Sequence, residues 1–88
     1  MSNHENWIVV ARDAAGNKSE WVCGKSEYPT EDDARSTVAG AITEETGAPP
    51  RVDLVRVQKL STFSISWRLV KSERLGGRSL FLVLRTKQ

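Results

Sequence analysis

Nucleophilic catalysis requires a nucleophile, a base within hydrogen-bonding reach of it and a third group that orients the base. The chain of 88 residues contains one histidine, His4, and one cysteine, Cys23. His4 lies in a polar N-terminal segment. Cys23 lies in an apolar run typical of a strand, where cysteine acts as a small buried hydrophobic residue. We therefore predict that the protein is not an enzyme and has no catalytic residues.

Carboxylates and glycines are the next residue types from which a binding site is commonly built. Five acids stand at the two ends of a predicted helix, where capping and solvation account for them without a metal ion. The pair Gly76-Gly77 is not followed by a helix, so it cannot direct a helix N-terminus at a phosphate group. We expect neither a metal nor a cofactor. The five acids are Glu31, Asp32, Asp33, Glu44 and Glu45.

The remaining charged residues are distributed unevenly along the chain. Residues 1–50 contain four Lys or Arg residues against nine Asp or Glu residues, a net charge of −5. Residues 51–88 contain nine basic residues against two acidic ones, a net charge of +7. Such a contrast indicates either an electrostatic partner or attraction between the two halves of the folded chain. The sequence leaves both explanations open.

Alternating apolar residues predict three of the strands that position these charges. Strands at residues 7–12 and 19–24 form a first hairpin, and residues 51–60 form a third strand after a helix. The apolar positions of this third strand change parity between Leu54 and Val55. That change predicts a bulge or a late start of the strand.

Two more strands are predicted at residues 63–70 and 80–84. Gly76-Gly77 joins them as a hairpin, because glycine tolerates the positive φ that tight hairpin turns need. The strand at residues 80–84 is apolar on both faces. It therefore either lies inside the sheet or pairs with another chain.

One helix is predicted at residues 31–46. It begins after the N-cap residue Thr30, and Gly47 ends it. Gly40, inside the helix, predicts a close approach to the sheet, because glycine costs helix stability and needs a compensating reason. The small apolar side chains of the helix should face the sheet. The helix positions are Ala34, Val38 and Ile42, and the sheet positions expected opposite them include Ile65 and Trp67.

Together these elements predict a single small α+β domain of order β-β-α-β-β-β, with one helix packed on one face of a mostly antiparallel sheet. Residues 1–6 would form a flexible N-terminal tail, and residues 7–88 the domain. No apolar run is long enough to cross a membrane, and the tail lacks a signal-peptide pattern. With a single cysteine and hence no internal disulfide, we expect a cytoplasmic protein without a membrane partner.

The first hairpin and the start of the helix, residues 11–21 and 28–35, resemble the opening of several unrelated small domains, including arm-type DNA-binding domains of integrases. The strands that follow the helix depart from that pattern. We assign no family on this basis.

A non-catalytic protein-binding module is the first functional hypothesis. Small chains without a catalytic framework are often adaptors or inhibitors, including inhibitors that viruses encode. The partner would contact Phe81 as an apolar anchor, with arginines at the rim of the contact. This hypothesis includes a homodimer formed through the last strand.

Nucleic-acid binding is the second hypothesis. Basic residues on the outward face of the C-terminal strands and at the hairpin tip resemble surfaces that neutralise phosphates and stack bases. Both hypotheses use one set of candidate partner-binding residues. The set consists of Arg56, Arg68, Arg74, Arg78, Phe81 and Arg85.

Overall fold

A computed structural model describes residues 4–60 and 70–87 of the chain. Its elements follow the predicted order β-β-α-β-β-β. Residues 63–69 of the predicted fourth strand, including Ile65, Trp67 and the candidate Arg68, lie outside the described residues. The elements are β1 (His4–Arg12), β2 (Lys18–Gly24), α1 (Glu31–Thr46), β3 (Arg51–Leu60), β4 (Lys71–Leu75) and β5 (Arg78–Thr86).

The five strands form one sheet with the spatial order β3-β1-β2-β5-β4, and all four neighbouring pairs are antiparallel. The predicted α+β architecture is thus confirmed. β5 lies between β2 and β4, so it is an interior strand, one of the two alternatives that the sequence left open. Its apolar residues on both faces follow from that position, since interior strands are covered more fully than edge strands. Pairing of β5 with a second chain is not available where its edges are already paired.

The helix has the predicted bounds and caps. The Thr30 hydroxyl accepts a hydrogen bond of 3.1 Å from the backbone N–H of Asp33. Gly47 adopts the left-handed conformation, with φ of 82°, and its N–H donates to the Thr43 carbonyl. Both contacts satisfy backbone groups that a helix end leaves without partners. The helix is 16 residues long, and within the described residues no helix is long and apolar enough to cross a membrane.

One face of the sheet packs against the helix through side chains of its three central strands. Val9 of β1 pairs with Trp21 of β2, and Trp21 in turn pairs with Leu82 of β5. The helix contributes its predicted apolar side chains, all of which are buried. The core residues of this face are Val9, Ala11, Trp21, Cys23, Leu80 and Leu82 from the sheet, and Ala34, Val38 and Ile42 from the helix.

The opposite face of the central strands is also apolar. Ile8, Val10 and Val22 are buried there. Together with the buried Val9 on the helix side, these side chains show that β1 is covered on both faces.

Three sequence predictions need correction. β1 begins at His4, where its pairing with β3 starts, so residues 4–6, which were predicted to lie in the tail, belong to a strand; the Lys25 N–H also donates to the Glu5 carbonyl at 3.1 Å. Gly40 makes no close approach to the described residues, since a methyl group at its Cα would meet none of them within 4 Å. The strand that pairs with β5 is Lys71–Leu75, after the predicted strand at residues 63–70, so the second hairpin turn contains only Gly76 and Gly77.

The bulge predicted in β3 is present, and it lies at Asp53. Val10 pairs with Leu54 and Ala11 pairs with Val52, which leaves Asp53 as the extra residue between them. The Asp53 carboxylate accepts hydrogen bonds from Arg12 at 3.1 Å and Arg51 at 2.8 Å. These contacts fix the bulge at the start of β3, so the strand is regular from Leu54 onward.

Candidate interaction surface

The predicted partner-binding residues do not lie on one surface. Arg56 is exposed on β3, at one edge of the sheet, and Arg74 is exposed on β4, at the other edge. With strands about 4.8 Å apart, the two edges are roughly 19 Å from each other. Phe81 is half-buried on the interior strand β5, next to Val22. Arg78 and Arg85 are turned toward the helix side of the sheet.

Arg78 connects β5 to the start of the helix. Its Nη1 donates to the Asp33 carboxylate at 2.6 Å and its Nη2 to the Thr37 hydroxyl at 3.4 Å. Its guanidinium carbon lies 4.4 Å from the centre of the Tyr28 ring, a cation–π contact. The hydrogen bond to Asp33 raises the pKa of Arg78. Asp33 therefore pairs with Arg78, where the sequence pattern had suggested a helix-capping role for its side chain.

Arg85 and Lys71 make a second connection to the helix. Arg85 Nη2 donates to the Glu45 carboxylate at 2.8 Å, and Lys71 Nζ lies 3.6 Å from the other oxygen of the same carboxylate. Lys71 also contacts Glu73 at 2.6 Å, and this hydrogen bond raises the pKa of Lys71. Basic residues of the second half of the chain thus pair with acids of the first half, as one of the two explanations of the charge contrast predicted.

The interior of the helix side contains two side chains that could react or bind a ligand, a thiol and a phenol hydroxyl. The Cys23 thiol is buried, and burial raises its pKa to about 12, so it is protonated and a poor nucleophile at neutral pH. The Tyr28 hydroxyl is buried and has no hydrogen-bond partner within the part of the chain that the structure describes. Such a group lowers stability, because its lost hydration is not replaced. Within residues 4–60 and 70–87, no three His, Cys, Asp or Glu side chains come together as a metal site would require.

A cleft of about 460 Å³ separates the second half of the helix from β4. Trp21, Ala41 and Leu75 form its apolar floor, and Lys71, Arg74 and three glutamates stand around it. Because Lys71 already pairs with two of these glutamates, Glu45 and Glu73, the charges at the mouth largely neutralise one another.

Two of the four exposed large apolar side chains of the described structure lie on β3. Leu54 is 49% exposed and Val57 is 45% exposed, and they point to opposite faces of the sheet. Among the described residues, β3 pairs with β1 alone. Sequence reasoning missed this edge, because the alternation of valines with Arg56 and Gln58 also fits a strand inside the sheet. Strand order, which the sequence does not encode locally, decides which strand lies at the edge.

The backbone of β3 alternates between bonding to β1 and facing outward. The Glu5 carbonyl accepts a hydrogen bond from Lys25, so the backbone groups of Glu5 are directed toward β2. This direction alternates along the strand, so the backbone groups of Ile8 are directed toward β3. Arg56, the partner of Ile8, therefore bonds to β1. It follows that the residues between those bonded to β1 direct their N–H and C=O groups away from the sheet. These outward residues are Val55, Val57 and Lys59.

Comparison with protein-family models, with curated proteins and with solved structures found no match to this chain. The functional interpretation therefore depends on the geometry of the residues themselves.

Proposed function

We propose that the protein is a non-catalytic protein-binding module that binds an extended segment of a partner along the outer edge of β3. The observation that carries the proposal is the outer edge of β3, a ten-residue strand that pairs on that side with no other described strand and has Leu54 and Val57 about half exposed. Unpaired backbone groups on such an edge supply hydrogen bonds to an added strand, and the exposed side chains supply selectivity. In this proposal Val57, instead of Phe81, is the apolar residue that anchors the partner.

The distribution of charge supports a protein partner over nucleic acid, which we keep as the alternative. A phosphate-binding surface needs several cations on one side of the molecule. Arg78 and Arg85 are instead paired with Asp33 and Glu45, and Arg74 lies at the sheet edge opposite β3.

An adaptor or a small inhibitor, acting in the cytoplasm, is the role that fits this size and surface. Such a protein needs one strand-binding edge and no reactive group. The buried free thiol of Cys23 accords with a reducing compartment.

The test compares the parent protein with Val57→Lys and with Leu84→Lys as the matched control, each immobilised and exposed to a lysate of the source cells. Leu84 is 38% exposed but lies on the interior strand β5. We expect mass spectrometry to find a polypeptide that the parent and the control retain and that Val57→Lys loses, because a charge at the centre of the edge opposes strand addition.

Labelled single- and double-stranded oligonucleotides test the alternative at two salt concentrations. Val57→Lys adds a positive charge, so it should not weaken binding to phosphates. Binding of oligonucleotides that falls steeply with salt and is lost in Arg56→Ala/Arg74→Ala would contradict the proposal and favour nucleic acid. Arg78 is left unchanged in this test, because its contacts with Asp33 and Tyr28 support the fold.

A further inference from the structure

The regular part of the β3 edge has a defined length and centre. The bulge at Asp53 interrupts the strand, and bulges end or redirect strand pairing. Within the described residues the strand runs to Leu60. The described segment available for regular pairing is therefore residues 54–60, and Val57 is its midpoint.

We infer that the partner of this edge is a second copy of the chain, paired antiparallel through β3 about a two-fold axis at Val57; this inference rests on the proposed function. A two-fold axis perpendicular to the sheet places the same edge of both copies side by side and antiparallel. The two sheets would then form one continuous sheet of ten strands, with both helices on the same face.

The backbone of the edge is compatible with this register. Val57 directs its N–H and C=O groups outward, so Val57 and Val57 of the second copy would exchange two hydrogen bonds. Val55 would pair in the same way with Lys59 of the second copy, once on each side of the axis. The interface would thus contain about six backbone hydrogen bonds.

The side chains favour this register over those centred on Arg56 and on Val55. With Val57 on the axis, Arg56 lies opposite Gln58 of the second copy and Lys59 lies opposite Val55, so no like charges face each other. Placing Arg56 on the axis would set two guanidinium groups opposite each other. Placing Val55 on the axis would set Arg51 opposite Lys59 and would run pairing through the bulge. Like charges directly opposite on a sheet are destabilising, which disfavours the registers centred on Arg56 and on Val55.

Sedimentation velocity over a wide concentration range tests the dimer through a charge-swap pair. Val57→Lys and Val57→Glu each place two like charges on the axis, so each variant alone should dimerise at least tenfold more weakly than the parent. An equimolar mixture of the two should dimerise again, because lysine then faces glutamate. Leu84→Lys should dimerise like the parent.

A cysteine at the axis gives a second readout that does not depend on weakening the interface. Opposite residues in a hydrogen-bonded antiparallel pair have Cα atoms about 5.5 Å apart, within the range that a disulfide spans. Val57→Cys should therefore form a covalent dimer under mild oxidation, whereas Leu84→Cys should not. The native Cys23 is buried and should remain reduced.

Several outcomes would overturn the inference. The inference would be wrong if the parent stayed monomeric at high micromolar concentration. It would also be wrong if Val57→Lys dimerised as tightly as the parent, or if the mixture of the two charge variants stayed monomeric. A monomeric parent that still captures another polypeptide, and loses it in Val57→Lys, would overturn the dimer and leave the proposed function standing. A dimer lost in Val57→Lys and restored by the mixture would support the second copy as the occupant.

Discussion

The helix-covered face of the sheet and the outer edge of β3 use the same residue types in opposite ways. On the helix side, Arg78 pairs with Asp33 and Arg85 pairs with Glu45, above a floor of buried apolar side chains. Along β3, Arg56 donates to its neighbour Gln58, and the apolar side chains are about half exposed. The net charge of a segment therefore does not locate a charged surface, because the fold decides which charges meet their opposites.

The largest expected difference between the two regions comes from one substitution made in each. Val38 on the helix is fully buried, so Val38→Asp places a carboxylate among apolar side chains. This change should lower the free energy of unfolding by about 3 kcal/mol or more. Val57→Asp, on the open edge, should stay within about 0.5 kcal/mol of the parent at concentrations where the chain is monomeric. Urea denaturation followed by circular dichroism measures both. If both variants lost the same amount of stability, the edge at Val57 would be covered, and the two regions would not differ in burial.

Removing an arginine from each region should give the next largest difference. Arg78→Ala leaves Asp33 without its ion pair and removes the contact on the Tyr28 ring, so it should lower the midpoint of thermal unfolding clearly. Arg56→Ala loses only a contact with its neighbour Gln58 and should shift the midpoint little. Arg78→Lys is the conservative control, since it keeps the charge but not the planar fork of donors. A midpoint for Arg78→Ala equal to that of Arg56→Ala would show that this cluster does not stabilise the helix side.

The sequence predicted the helix side well and the edge poorly, for a physical reason. The Thr30 cap, the Gly47 stop and the spacing of Ala34, Val38 and Ile42 are local signals, and the structure shows each of them. Ion pairs such as that between Arg78 and Asp33 join residues 45 positions apart, and no local pattern specifies them.

Strand order has the same long-range character. The five apolar residues of β5 form one unbroken run, so the sequence allowed either an interior strand or a partner-binding edge, and β5 lies inside the sheet. The bulge in β3 was visible as a change of parity, but the parity could not show that Asp53 ends the regular part of an open edge.

Substitutions at two glycines, one inside the helix and one directly after it, should change the stability by smaller amounts. A methyl group at Gly40 would meet nothing, so Gly40→Ala should stabilise the protein by about 0.5–1 kcal/mol through the helix backbone. Gly47 has φ of 82°, so Gly47→Ala should instead cost about 1 kcal/mol. Denaturant unfolding measures both changes. A loss of stability in Gly40→Ala would show that this side of the helix is in contact with another part of the protein.

The smallest expected effect concerns the carboxylate that holds the bulge at the start of the open edge. Hydrogen bonds from Arg51 and then Arg12, together with their charges, lower the pKa of Asp53 below its ordinary value of 3.8. A carboxyl group with a lowered pKa in the folded state stabilises the protein above its ordinary pKa, and this contribution disappears as the pH falls through the lower value. The parent should therefore be more stable than Asp53→Asn at pH 7, and the difference should shrink below about pH 4.

Thermal unfolding of both proteins from neutral to acidic pH measures this difference. Asp32→Asn, at an exposed position in the first turn of the helix, is a control for the loss of one negative charge. If the difference between the parent and Asp53→Asn were the same at all pH values, the arginines would not hold the carboxylate. Because the bulge limits the regular edge to residues 54–60, Asp53→Asn should also loosen the register of the dimer proposed above. In that case Val57→Cys should cross-link less completely when it is combined with Asp53→Asn than when it is alone.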